Sequence, residues 1–152
     1  MTAAFDFDRA AAEGVAREKG LDPAQTLDKF RAVSLSRSTP PVALATRLVE
    51  AYVHGEDIRR PLGIDRGYPP EYVSTALRYQ VTTSVKFGGG KELAQGWRLM
   101  ATDTGFAHGD GPEVSAPAIT LLLATSGRPV TAAELTGPGA ASFVSGTIKE
   151  SA

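Results

Sequence analysis

Three consecutive glycines, Gly88-Gly89-Gly90, separate two stretches of this chain in which apolar residues recur with different periods. Before them, from Phe5 to about Lys86, the spacing is that of amphipathic helices. After them, Trp97-Arg98-Leu99-Met100-Ala101-Thr102 alternates as a half-buried strand does. Helices first and a short sheet afterwards define an α+β fold that is mainly α. The expected organisation is a helical bundle portion over residues 1–87, followed over 88–152 by a β-hairpin and helices packed with it as one domain. The glycine run reads as a linker. It lacks phosphate-loop spacing, and no Ser or Thr follows Lys91 to open a helix on an anion.

Local signals mark the elements. Phe5, Ala12, Val15 and Ala16 lie at helical spacing, with Gly20 as the stop. Asp22-Pro23-Ala24-Gln25 supplies an N-cap, a proline at the first helical position and a glutamine at the third, opening a helix through Leu27, Phe30 and Val33. Ser34 to Pro41 reads as loop. Val42 to Arg60 reads as a long helix ended by Pro61, and Tyr68-Pro69-Pro70 begins another through Val73, Leu77 and Val81. Gly105 and Gly109-Asp110-Gly111-Pro112 read as turns, so Glu113 to Ala116 is the expected return strand of the hairpin. Pro117 and the apolar run Ala118 to Leu123 predict a buried helix that stops at Gly127. Thr131-Ala132-Ala133-Glu134 is a capping box, and Ala140 to Ile148 is expected to be helical.

Composition removes several function classes. The absence of cysteine excludes disulfide scaffolds, thiolate metal sites and cysteine nucleophiles, and accords with a reducing compartment, so a cytoplasmic location is expected. Lys and Arg number 16 against 17 Asp and Glu, without the basic patch that phosphate backbones require, so no nucleic-acid partner is expected. The longest strongly apolar stretch, Ala116 to Ala124, is far short of the roughly 20 residues of a membrane helix, and no membrane association is expected.

The chain has only two histidines, His54 and His108. On the 42–60 helix Glu50 and His54 are four apart and Asp57 three further on, so all three point to one side. A carboxylate and an imidazole at that spacing can hold one divalent ion, although the same pair is also an ordinary feature of an exposed helix face. Arg59 and Arg60 complement the negative end of the helix dipole, or alternatively capture a substrate carboxylate in bidentate fashion. His108 sits in a Gly-Asp-Gly-Pro context that is first of all a turn. No nucleophile elbow or other acyl-transfer context is present, and no catalytic residue is assigned.

Four blocks carry a resemblance: Leu48 to Gly63 (LVEAYVHGEDIRRPLG), Ala101-Thr102-Asp103 through His108 to Val114, Leu121 to Pro129, and Leu135 to Gly139, with a weaker match at Phe7-Asp8-Arg9-Ala10. In this order they resemble the mycothiol-dependent maleylpyruvate isomerase family, metal-binding proteins with a DinB-like four-helix bundle. The resemblance covers most of the chain. It implies a divalent metal, zinc above all, held by Glu50 and His54 as the later Glu-x-x-x-His pair. It further implies mycothiol as thiol cofactor, an unsaturated acid as substrate, and Arg59 and Arg60 as carboxylate-binding residues. In relatives an earlier helix, upstream of the Phe-Asp-Arg block, supplies a further His ligand. The chain is therefore expected to be an N-terminally short version whose bundle is partial and whose exposed apolar helix sides drive homo-oligomer formation, a degenerate or truncated isomerase or transferase using mycothiol. The alternative is a non-catalytic helical module that binds a protein partner without a stable metal site.

Overall fold

The computed structural model describes residues 7–18, 22–36 and 43–149. The fold is α+β and mainly α, with seven α-helices and one three-stranded sheet among the described residues. By its contacts the chain divides into Met1–Pro41 and Val42–Ala152. The glycine run lies inside the second unit. Gly90 N–H donates to the Gln80 carbonyl at 2.8 Å and Lys91 N–H to that of Thr83 at 3.0 Å, which ties the run to the preceding helix.

In the first unit α1 spans Phe7–Glu18 and α2 spans Pro23–Val33. Asp22 caps α2 as its sequence predicts, Oδ1 accepting from Ala24 N at 2.8 Å and Gln25 N at 3.1 Å. Leu27, Phe30 and Val33 form an exposed apolar stripe on α2. The expected start at Phe5, the stop at Gly20 and most of the 34–41 loop lie outside the described residues.

In the second unit α3 (Ala45–Arg59) packs on α4 (Pro70–Thr82), and α4 on α6 (Ala118–Thr125). Pro61 ends α3 by removing a donor, and one 3-10 turn, Arg60–Leu62, carries the chain to Gly63 at φ 64°. Val53 from α3, Val73, Leu77 and Val81 from α4, and Leu121, Leu122 and Leu123 from α6 make the helical core. No helix among the described residues is long and apolar enough to cross a membrane.

After the short helix α5 (Lys91–Ala94), the sheet has the order β2-β1-β3. β1 (Arg98–Ala101) pairs antiparallel with β2 (Ala107–His108), Leu99 opposite His108, and parallel with β3 (Glu113–Ala116), Arg98 opposite Glu113. The hairpin partner is thus β2 rather than residues 113–116, which lie parallel to β1 on its other edge. Two glycines make this possible. Gly109 (φ 76°) and Gly111 (φ 132°) press against the carbonyls of Trp97 and Gly96, leaving no room for a Cβ where the chain crosses the start of β1. α6 then follows its N-cap Pro117, and Ala118 N–H donates to Asp103 Oδ1 at 2.8 Å. Thr131 and Glu134 form the expected capping box, and α7 (Ala140–Lys149) seats Phe143 edge-on to Trp97 at 5.6 Å.

Candidate metal centre

The helical spacing of Glu50, His54 and Asp57 puts an imidazole between two carboxylates. His54 Nε2 lies 3.1 Å from Glu50 Oε2, and His54 Nδ1 lies 3.1 Å from Asp57 Oδ2. A doubly protonated ring donates to both. A neutral ring donates to one carboxylate only: with its proton on Nδ1 toward Asp57, it turns a lone pair on Nε2 toward Glu50, where a cation between the two would be favourable. A carboxylate that fixes the second nitrogen of a ligating histidine is the usual outer shell of a metal site. Among the described residues no three His, Cys, Asp or Glu side chains form a group that could enclose an ion.

Asp57 is itself held from the other side of the unit. Arg128, directly after the turn at Gly127 (φ 71°), donates from Nε to Asp57 Oδ1 at 3.0 Å and from Nη2 to Oδ2 at 2.8 Å. Its Nη1 donates to the Ser126 carbonyl at 3.1 Å. The bidentate bond from Arg128, aided by His54 and opposed by burial, lowers the Asp57 carboxyl to about 2. Because the folded value lies below the unfolded 3.8, the pair contributes stability above about pH 4 and loses it as the pH falls toward 2. Both side chains are about one-third exposed or more, so the contribution is about 1 kcal/mol or less. Arg128→Ala is expected to lower stability by that amount at pH 6, with the loss shrinking toward pH 2. Urea unfolding at the two pH values checks this, and a loss that does not shrink would remove Asp57 as its cause.

Glu50, His54 and Arg128 line a cavity of about 270 Å³ together with Val53, Gln80 and Ser126. Gln80, on α4, is 1% exposed. Its Nε2 donates to the carbonyls of Thr125 at 3.2 Å and Gly88 at 3.5 Å, whereas its Oε1 is buried with no partner, as is Ser126 Oγ. Neither Gln80 nor Arg128 is marked in the sequence as a site residue. Arg128 lies 71 positions from Asp57, and an isolated glutamine in an apolar helix face carries no motif.

Arg59 and Arg60 are placed differently. Glu56, next to Asp57 on α3 and 9% exposed, takes Arg59 Nε at 3.2 Å and Arg60 Nε at 3.4 Å. The Tyr68 hydroxyl also donates to Glu56 Oε1 and accepts from Arg59 Nη2. Burial first, then the Glu56 carboxylate, push the Tyr68 phenol above its ordinary value despite Arg59. Arg60 also pairs with Glu134 at 2.9 Å and borders a depression of about 530 Å³ with Asp65, Arg66 and Tyr68. The carboxylate these two arginines hold in the fold is therefore the chain's own. His108 is in β2, half-buried and stacked on Phe106 at 6.4 Å. Comparison of the chain with family models, with curated proteins and with solved structures gives no match in any of the three.

Proposed function

We propose that this chain is a divalent-metal-binding protein of the thiol-dependent maleylpyruvate isomerase type, with a DinB-like bundle and zinc held by Glu50 and His54. The observation that carries the reading is the 3.1 Å approach of His54 Nε2 to Glu50 Oε2 while the other ring nitrogen is fixed by Asp57. The donor set suits zinc, which takes imidazole nitrogen and carboxylate oxygen together. When bound, such an ion supplies Lewis acidity that lowers the pKa of a thiol cofactor, here mycothiol, so that it can add to an unsaturated acid. The chain's own part is positional. Asp57 keeps His54 in the ligating tautomer, Arg128 keeps Asp57 charged and in place, and Val49, Val53 and Val85 give the cavity an apolar wall. Carboxylate capture by Arg59 and Arg60 requires the substrate to compete with Glu56, which both guanidiniums already hold. The reading places the protein in the cytoplasm, where a thiol cofactor stays reduced.

The test is metal content. Purified protein equilibrated with zinc is expected to hold the ion weakly, well below one per chain at low micromolar zinc, and Glu50→Ala and His54→Ala are each expected to abolish it. Stoichiometric zinc surviving both substitutions, or no uptake by the unaltered chain, overturns the reading. A second reading, a non-catalytic module that assembles with itself or a protein partner, is favoured by Leu44, Ile58 and Leu62, each more than 60% exposed on α3 and at its two ends. Light scattering at tens of micromolar tests its self-assembly arm, and the zinc content of the unaltered chain separates the two readings. A homodimer supports self-assembly and a clean monomer removes it.

A further inference from the structure

Resting on the metal reading above, we infer that a second copy of this chain completes the cation site: two α3 helices pair antiparallel along their outer faces, and Glu50 and His54 of both copies share one ion. Each copy brings two useful ligands, because Asp57 is committed to Arg128 and to the other nitrogen of His54. The side chains of His54 and Glu50 are 60% and 59% exposed, so a further donor can reach them from the solvent side. Zinc takes three or four protein donors. Two imidazoles and one carboxylate are the donor set of an open zinc site, and the second Glu50 either closes the fourth position or yields it to a thiol.

The face beside this pair has the pattern of a helix seam. On α3 and at its two ends, Leu44, Leu48, Ala51, Gly55, Ile58 and Leu62 follow one another in steps of four, three, four, three and four, the alternation that keeps two paired helices in contact along their length. The seam lies away from the core. α3 turns Val53 and Glu56 inward, whereas Leu44, Ala51, Ile58 and Leu62 are exposed, and Leu48 and Gly55, over which Arg59 folds, are half-buried. Charge selects the partner and its direction. Arg47, Glu50, His54 and Asp57 lie along one edge of the seam. In two copies run antiparallel about a two-fold axis near Tyr52, this edge meets itself reversed, so that Arg47 stands opposite Asp57, and Glu50 opposite His54, of the other copy. A parallel pair would instead bring His54 against Arg59 of the other copy, cation against cation, and would leave the two Glu50/His54 pairs on opposite sides of the seam.

Zinc alone, added to the full chain at tens of micromolar, is the probe, read by sedimentation and by metal uptake. Zinc is expected to drive the chain into dimers that hold about one ion per two chains. Ile58→Lys, at an exposed seam position that is not a ligand, is expected to keep the chain monomeric and to weaken zinc about tenfold or more, with apo-state melting unchanged. Direction is read by disulfide trapping, since the chain has no cysteine of its own. Ala51→Cys, beside the two-fold axis, is expected to cross-link on oxidation with zinc present, whereas Leu44→Cys, at one end of the seam, is not. If Ile58→Lys does not fold, stoichiometry and trapping still decide. Cross-linking of Leu44→Cys overturns the antiparallel arrangement. Zinc held one per chain by monomers, or bound equally well by Ile58→Lys, overturns the shared site and leaves the metal reading standing. No zinc uptake by the unaltered chain overturns both.

Discussion

Gly90→Ala is expected to destabilise the second unit by about 3 kcal/mol, seen as a matching fall in the urea midpoint. A Cβ at this position would fall well inside contact distance of the Thr125 carbonyl, which is backbone at the buried end of α6 and cannot swing away. Moving Gly90 instead would break its N–H bond to Gln80 and loosen the Ala94 N–H bond it receives at 3.0 Å. Interiors at crystal-like density have no slack for either shift. Gly67 is the control. A methyl group there would meet no neighbour within 4 Å, and its φ is not positive, so Gly67→Ala is expected to change stability by less than about 0.5 kcal/mol. Equal effects at the two positions would show that Gly90 is a linker glycine after all.

Glu56→Ala is expected to cost about 3 kcal/mol, again by urea unfolding. Its carboxylate is the common partner of Arg59, Arg60 and the Tyr68 hydroxyl, and removing it strands a guanidinium whose side chain is only 20% exposed. Arg60 retains Glu134 and loses less. Glu56→Gln keeps the hydrogen-bond acceptor without the charge and is expected to cost about half as much. A spectroscopic sign accompanies the loss. With Glu56 gone and Arg59 still beside it, the Tyr68 phenol moves down from its raised position, so ultraviolet titration should show one tyrosine ionising earlier. A variant as stable as the parent would mean that the two arginines find other partners, and would return them to the pool of ligand-binding groups.

The readings that held are those set by a few neighbouring residues. Asp22-Pro23 and Thr131 with Glu134 cap helices because a side-chain oxygen reaches backbone N–H groups two or three positions away. Pro61, Pro70 and Pro117 punctuate helices because the ring removes a donor wherever it stands. The Glu50, His54, Asp57 alignment is likewise local, a consequence of the helical repeat. The readings that moved depend on residues far apart in the chain. Alternation in residues 97–102 announces a strand but not its partner, so β3 turned out parallel to β1, directed by glycines that fit beneath the Trp97 and Gly96 carbonyls.

Local sequence thus determined the helices, their caps and the pairing of Glu50 with His54, since each follows from bonds spanning at most one helical turn. Tertiary structure alone decided that Glu56 occupies Arg59 and Arg60, that Arg128 anchors Asp57 across 71 residues, and that Gly89 and Gly90 are packed core. Side-chain chemistry can be read from a chain one residue at a time. Desolvation and close approach are properties of what the fold brings alongside, and no periodicity encodes them.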